Sequence, residues 1–198
     1  DNPMVLPDGR VESCGNFHGA PLGFAADFLA IALAEVGAIA ERRMDRMLDQ
    51  NRSHGLPPFL AAEAGVDSGL MIGHYTAAGM ASENKRLAAP ASVDSLPTSG
   101  MQEDHVSMAW ASVRKLRTLI DNLRRILAVE YVIAARAVDL RAPLEPAPAT
   151  GAAIAVLRTV VAGVGPDRYL APELAAAEEI LRADTPAEGM AAHGVVLD

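Results

Sequence analysis

An acidic pair followed by a histidine, Glu103-Asp104-His105, is the part of this chain whose residue types could do acid–base chemistry. A loop broken by Pro97 and Gly100 precedes it, and a long helical pattern follows. Ser99, with Gln102 three positions later, has the spacing of a capping box, so we expect a helix to begin here. The helix dipole favours acidic residues at such a start by about 0.3–1 kcal/mol each, which is an ordinary structural explanation. The functional interpretation is that Glu103 is a fixed general base or a ligand anchor.

A second candidate is the loop Gly15-Asn16-Phe17-His18-Gly19. Its glycines allow a backbone to approach a ligand closely, and Phe17 offers a flat apolar wall. The loop lacks the GxGxxG spacing and the preceding strand of a nucleotide-binding turn. An ordinary glycine-rich turn explains the pattern equally well.

Other catalytic and metal-binding arrangements find little support. The chain has five histidines but no HxxxH or HExxH spacing, so we expect no metal site. Cys14 has no basic neighbour that would activate it as a nucleophile. A triad of Ser13, His18 and Asp27 can be drawn, but no GxSxG motif supports it.

Composition favours helices and excludes several partners. Hydrophobic residues make up 51% of the 198 positions and aromatic residues only 4%, which is typical of packed helices. The net charge of −8, without a basic tract, argues against nucleic acid. The single cysteine and the absence of a visible signal pattern predict a reducing, cytoplasmic location. The most apolar run, Leu22 to Ala40, contains Asp27 and Glu35, so a buried helix explains it better than a membrane span.

We therefore predict an all-α fold in three regions: a loop region over 1–21, a long-helix bundle over 22–141, and short C-terminal helices over 142–198. Within the first region, Pro7-Asp8-Gly9-Arg10 reads as a tight turn between short extended pieces. Asp67-Ser68-Gly69 looks like the start of a helix, and Glu83-Asn84-Lys85 looks like a solvated or ion-paired helix edge. The predicted helices cover residues 22–48, 70–88, from the acidic pair to about 141, 150–162 and 172–183. The last fifteen residues are expected to be loose.

The long helical pattern before Arg141 carries two apolar stripes. One stripe has steps of three and four residues, and the other repeats every seven. Two stripes require neighbours on two sides, as in the middle of a bundle. At 1.5 Å per residue such a helix would be roughly 50 Å long, which suits the core of an oligomer better than a small monomer. The stripes comprise Val113, Leu116, Ile120, Leu123 and Leu127, and then Leu119, Ile126 and Ile133.

Several segments together resemble the C-terminal portion of the histidine ammonia-lyases. They occur in the family's order and with similar spacing, and they cover at least residues 1–141. The first residue, Asp1, is not an initiator methionine, so we expect a cleaved product or one piece of a longer polypeptide. The matching segments are DNP at 1–3, GNFHGAPLG at 15–23, AEVGAIAERRMDRMLD at 34–49, GLPPFL at 55–60, DSGLMI at 67–72, SENKRLAAPASVDSLPTS at 82–99 and QEDHVSM at 102–108.

This resemblance implies an all-helical tetramer that eliminates ammonia from L-histidine to give urocanate. The family's electrophile is a methylidene-imidazolone (MIO), formed autocatalytically from an Ala-Ser-Gly triplet in the N-terminal half. No such triplet occurs in this chain. The family's catalytic tyrosine and carboxylate-binding arginine also precede the DNP motif. We therefore expect the chain to be inactive alone and to need an N-terminal part, either as a separate subunit or as a segment of the same polypeptide.

Four residues match active-site positions of the family. Glu103 would contact the histidine substrate and assist proton transfer, and Phe17 would line the pocket beside the electrophile. Asn2 would hydrogen-bond near the electrophile, and Gln102 would be a close partner of the site. The chain departs from the usual pattern at Gly100, Ala109 and Gly73-His74, which could tune the pocket.

Two alternatives to a histidine lyase remain open at this point. The first is an aminomutase, or a lyase for tyrosine or phenylalanine, on the same scaffold. The second is a non-catalytic helical partner that stabilises or regulates a full-length lyase. The second predicts association without any need for Glu103 or Phe17.

Overall fold

A computed structural model describes residues 2–195 of the protein. Asp1 of the predicted loop region and residues 196–198 of the predicted C-terminal region lie outside the described residues. The predicted all-α fold is confirmed, since the only strands in the described part are two residues long. The elements are β1 (Met4–Val5), β2 (Val11–Glu12), α1 (Ala20–Leu48), α2 (Met71–Leu87), α3 (Ala109–Asp139), α4 (Pro148–Arg158), α5 (Ala171–Arg182) and α6 (Thr185–Ala191), with 3-10 turns at Pro58–Leu60 and Ser99–Met101.

The tight turn predicted near the start of the chain is confirmed. Strands β1 and β2 pair antiparallel, with Met4 opposite Glu12 and Val5 opposite Val11. The N–H of Leu6 donates to the carbonyl of Arg10 at 2.9 Å, which closes the turn between the strands. The short hairpin therefore brings the start of the chain back towards the glycine-rich loop.

The described residues group into two compact units. The first unit combines the residues up to Leu33 with Lys85–Ile120, and the second combines Ala34–Asn84 with the residues from Asp121 onward. Both α1 and α3 contribute residues to both units. The three-region division expected from the sequence, with borders at 21/22 and 141/142, remains a prediction.

The second unit has two apolar clusters, and α3 contributes to both. Ile126, Val129 and Ile133 pack with residues of α1 and α2. Ala128 and Val132 lie on another side of α3 and pack with residues of α4 and α5. Burial on two sides of α3 is thereby found within this unit, but the second side is not the predicted stripe, since Leu127 of that stripe packs against the same cluster as Ile126 and Ile133.

The stretch 185–191 is helical, which the sequence did not suggest. Residues 185–191 form α6, so the prediction of a loose C-terminus is wrong for this stretch. Gly189 explains the difference. A Cβ added there would lie 3.0 Å from Cγ2 of Val156, so the missing side chain lets α6 approach α4 closely.

Another correction concerns Asn84, which we expected on a solvated helix edge. Its side chain is fully buried in the second unit. The Nδ2 of Asn122 donates to Oδ1 of Asn84 at 3.1 Å and to the carboxylate of Glu83 at 2.8 Å. A buried amide is tolerated because its polar atoms find such partners.

Candidate active site

All four predicted site residues belong to the first unit, on three separate segments. Asn2 precedes the hairpin, Phe17 lies in the loop before α1, and Gln102 and Glu103 lie in the loop before α3. Local contacts among these segments decide whether they form one site.

Glu103 is held by a loop, and the predicted helix start at Ser99 is wrong. Residues Ser99, Gly100 and Met101 all have positive φ, of 52°, 62° and 75°, which interrupts any α-helix. They form a 3-10 turn without a side-chain cap, and α3 begins only at Ala109. The helix dipole therefore cannot explain the acidic pair, because Glu103, Asp104 and His105 all precede the first turn of α3.

The backbone of Glu103 is fixed by a small antiparallel bridge. The N–H of Thr98 donates to the Glu103 carbonyl at 2.9 Å, and the N–H of Glu103 donates to the Thr98 carbonyl at 3.3 Å. Further along, the N–H of Val106 donates to the hydroxyl of Ser95 at 2.9 Å. Both flanks of Glu103 are thus tied to the preceding strand-like segment.

The Phe17 loop and the Glu103 loop meet in the first unit. The hydroxyl of Ser107 donates to the carbonyl of His18 at 2.5 Å. The rings of His18 and His105 lie against each other, with centroids 5.6 Å apart and planes tilted by 34°. One hydrogen bond and one ring contact therefore join the residues next to Phe17 to those next to Glu103.

Asn2 is connected to the same loop. Its Oδ1 accepts hydrogen bonds from the backbone N–H of Cys14 at 2.8 Å and the hydroxyl of Ser13 at 3.2 Å. These two residues directly precede the glycine-rich loop. With Oδ1 engaged in this way, the amide nitrogen of Asn2 is the end that can donate to another group.

The side chains at this site point to open surface in the first unit. Asn2, Gln102 and Glu103 are exposed, and 57% of Phe17 is accessible. An exposed carboxylate, an amide and an aromatic face can form one wall of a substrate pocket. They do not enclose a substrate, so another surface would have to cover them.

Sequence reasoning missed the residue that anchors the Glu103 loop to α1, which is Asp27. This residue is 3% exposed. Its Oδ2 accepts from the N–H of Ser92 at 2.7 Å and from the hydroxyl of Ser112 at 2.9 Å. The ammonium of Lys115 lies 3.5 Å from Oδ1. A charged residue inside an otherwise apolar helix was the available signal, because such residues are buried only when they are paired.

The balance of forces at Asp27 favours its charged form. Burial by itself raises the pKa of this carboxyl. The hydrogen bonds from Ser92 and Ser112 and the positive charge of Lys115 act in the opposite direction. Their sum is larger, so the pKa of Asp27 lies below its ordinary value of 3.8.

A cavity of about 530 Å³ lies in the second unit, away from these residues in sequence. Its lining includes Ser68 and Ile72 near the start of α2 and Tyr169 and Leu174 near the start of α5. None of the four predicted site residues lines it. The candidate site therefore rests on the contacts within the first unit.

Comparisons with known proteins agree with this fold. The structure of histidine ammonia-lyase from Trypanosoma cruzi superposes on all of this chain with a TM-score of 0.94 and 39% identity, over 39% of its own length. Tyrosine aminomutase from Streptomyces globisporus matches 96% of the chain with a TM-score of 0.91 and 37% identity, over 36% of its length. The fold is thus that of the helical aromatic amino acid lyases and aminomutases.

The sequence comparisons define the family. A family model described as aromatic amino acid lyase matches residues 1–159. The histidine ammonia-lyase of Streptomyces avermitilis is 66% identical over 183 residues, which is 92% of this chain and 36% of that protein. The chain belongs to the aromatic amino acid lyase family. It spans just over a third of the length of the relatives it matches.

Proposed function

We propose that this chain is the C-terminal part of a histidine ammonia-lyase, which eliminates ammonia from L-histidine to give urocanate. The observation that carries the proposal is the 66% identity to a histidine ammonia-lyase, compared with 37% to the tyrosine aminomutase. The joined loops of Phe17 and Glu103 support it, because they bring the matching active-site residues into one part of the first unit.

In this proposal Glu103 has the chemical role. Elimination breaks a carbon–hydrogen bond and a carbon–nitrogen bond, releases ammonia and leaves a carbon–carbon double bond. Glu103 can accept a hydrogen bond from the imidazole of the substrate and assist the proton transfer. Phe17 offers an apolar face to the ring, and Gln102 can donate or accept a hydrogen bond beside it.

The MIO group would have to come from another part of the enzyme, since no Ala-Ser-Gly triplet occurs here. When bound, this group supplies the electrophile of the reaction. The residues present fit such a neighbour. Asn2 is exposed, its Oδ1 is fixed by Ser13 and Cys14, and its amide nitrogen is the donor that could hold the group. Phe17 would exclude water beside it.

We further propose that other chains cover the apolar surface of α1 in a tetrameric core, and that this surface does not enter a membrane. By length and composition α1 could cross a bilayer, and only 33% of its most apolar window is buried. Phe24, Phe28 and Ile31 are exposed at helical spacing. The charged residues Asp27 and Glu35 within this stretch support a protein neighbour. Native mass spectrometry of the complete enzyme should give four copies, and a monomer would contradict the proposal.

The location is also a proposal, supported by the single cysteine, which allows no disulfide within the chain. We expect the enzyme in the cytoplasmic fraction of its cell. Recovery in a membrane or secreted fraction would contradict this.

The first experiment compares the chain alone with the chain combined with an N-terminal part carrying Ala-Ser-Gly. Urocanate is followed by its absorbance, with L-histidine as substrate. We expect product only from the combination. Turnover by the isolated chain would contradict the shared site, and an inert combination that still associates would favour a non-catalytic partner.

The second experiment tests Glu103 with the variant Glu103→Gln in the assembled enzyme. Because general acid–base groups contribute about 10²–10⁴-fold, we expect a loss in kcat of that order. Glu145→Gln is the matched control, since Glu145 is an exposed glutamate in the second unit. Near-normal turnover of Glu103→Gln would remove Glu103 from the proposed role.

Product analysis separates the reaction from its sister activities. Urocanate and ammonia in equal amounts support the lyase. A β-amino acid product, or a preference for tyrosine or phenylalanine over histidine, would identify an aminomutase or another aromatic lyase instead.

A further inference from the structure

We propose that His18 and His105 form a positioning pair, which holds the Phe17 loop and the Glu103 loop at a fixed separation. The inference rests on the proposed function for the roles of Phe17 and Glu103. It assigns a role to His18 and His105, which have none in the proposed function.

The geometry is that of a specific aromatic contact. The two ring centroids are 5.6 Å apart, which lies within the range of favourable offset or tilted ring pairs. His18 directly follows Phe17, and His105 is two residues beyond Glu103. A displacement of either ring would therefore change the position of the nearby site residue.

Hydrogen bonds already restrain the backbone of the Phe17 loop and of the Glu103 loop. The ring contact therefore joins two loops whose own conformations are largely fixed. The hydroxyl of Ser107 donates to the carbonyl of His18 at 2.5 Å. The mutual bridge between Thr98 and Glu103 fixes the other loop. Between these two restraints, the His18–His105 contact joins the residue after Phe17 to a residue two positions beyond Glu103.

Burial indicates that the pair serves the site more than the fold. His105 is exposed and His18 is only half-buried. Substitution of either ring should therefore leave the core of the first unit intact. Asp27 differs from the two histidines, because it is buried and accepts a hydrogen bond from Ser92, which begins the segment that leads to Glu103.

The test uses the complete enzyme, in which the chain is joined by the region carrying Ala-Ser-Gly. The variants are His18→Ala, His105→Ala, the double variant and His105→Phe, with His193→Ala as an exposed control from the second unit. Each is assayed for kcat and KM with L-histidine, and amide hydrogen exchange is measured over residues 15–19 and 98–105.

We expect each alanine variant to lower kcat by about threefold to tenfold, the size of a lost ring contact, with a smaller rise in KM. The double variant should be no worse than the more damaged single variant, because both remove the same contact. His105→Phe should restore most of kcat, since a phenyl ring can keep the contact. Amides in both loops should exchange faster in the alanine variants, and His193→Ala should match wild type.

Any of three results would contradict the positioning role of the two histidines. These are losses in kcat that multiply in the double variant, a His105→Phe enzyme as impaired as His105→Ala, and unchanged amide exchange in both loops. If the wild-type enzyme fails to release urocanate, the proposed function is wrong. The exchange data would still decide whether the two histidines hold the loops together.

Discussion

The carboxylate of Asp27 in α1 accepts a hydrogen bond from the backbone N–H of Ser92, at 2.7 Å and across 65 positions of sequence. Ser92 begins the segment that leads to Glu103. The hydroxyl of Ser112 and the ammonium of Lys115, both in α3, complete the surroundings of the same carboxylate. One buried charge therefore connects α1, α3 and the loop that carries the candidate base.

Replacing Asp27 with asparagine should destabilise the enzyme by about 1–3 kcal/mol. The variant keeps an acceptor but loses the charge that Lys115 and two hydrogen bonds stabilise in a buried place. Urea unfolding of the assembled enzyme at neutral pH measures the effect. Asp121→Asn removes an exposed carboxylate and should change the unfolding free energy by about 0.5 kcal/mol or less. Equal stability of Asp27→Asn and wild type would contradict the anchor.

The same carboxylate predicts a dependence of stability on pH. The folded-state pKa of Asp27 is below its ordinary value of 3.8, so folding favours the charged form. The stabilisation is fully present above the ordinary value and is lost as the pH falls through the lower folded-state pKa. The difference in unfolding free energy between wild type and Asp27→Asn should therefore shrink in acid. A difference that stays constant below pH 3.8 would contradict the lowered pKa, and one that grows would reverse its direction.

The helices could be predicted closely from the sequence, but the contacts between distant segments could not. Apolar periodicity and breaks at Pro and Gly predicted 22–48 and 70–88, and the structure has Ala20–Leu48 and Met71–Leu87. The start of α3 was misplaced because no residue pattern reveals positive φ at Ser99 and Met101. The bond from Ser92 to Asp27 was invisible for another reason, since spacing carries no information about contacts 65 residues apart.

The candidate site shows the same limit. The four residues were identified through the resemblance of their motifs, and local reasoning had favoured a helix start for Glu103. The bridge to Thr98 and the contact between His18 and His105 required coordinates. The residue types of the site could be identified from the sequence. The contacts between the loops could not, because they depend on where the start of α1 and the start of α3 lie in the fold.

The buried pair of Asn84 and Asn122 should be sensitive to substitution. Asn84→Leu removes the oxygen that accepts from Nδ2 of Asn122 at 3.1 Å. A buried donor then loses a partner, which costs about 1–3 kcal/mol. Thermal unfolding of the assembled enzyme should show a lower Tm for this variant. An unchanged Tm would mean that the amide pair adds nothing to the stability of the second unit.

Asp167 should stabilise the turn that leads into α2. Its carboxylate accepts from the N–H groups of Ser68 at 2.7 Å and Gly69 at 2.8 Å, just before the helix. Its own N–H donates to Oδ1 of Asp67 at 3.0 Å. Reciprocal hydrogen bonds therefore join the loop before α2 to the loop before α5. Because these two N–H groups would lose their acceptor in the turn that leads into α2, Asp167→Ala should lower the Tm and speed amide exchange at residues 68–69.

The pairing of Asp67 with Asp167 supplies the control for that prediction. Asp67→Ala breaks the reciprocal bond, and the double variant should be little worse than Asp167→Ala alone. Fully additive losses in Tm would show that the two carboxylates act independently.

Two glycines near α2 should respond to alanine in opposite directions. A Cβ on Gly69 would lie 2.5 Å from the carbonyl oxygen of Phe59 and 2.9 Å from the nitrogen of Ala61, both backbone atoms. Gly69 also has φ of +61°, which disfavours any side chain. The carbonyl of Phe59 cannot simply move, because it accepts the N–H of Leu70 at 2.9 Å. Gly69→Ala should therefore lower the yield of soluble, assembled enzyme.

Gly79 lies inside α2 with no atom within 4 Å of an added Cβ, so Gly79→Ala should stabilise the enzyme by about 0.5–1 kcal/mol. Size-exclusion yield and Tm measure both changes, and a Gly69→Ala enzyme as stable as Gly79→Ala would refute the close approach of these two loops.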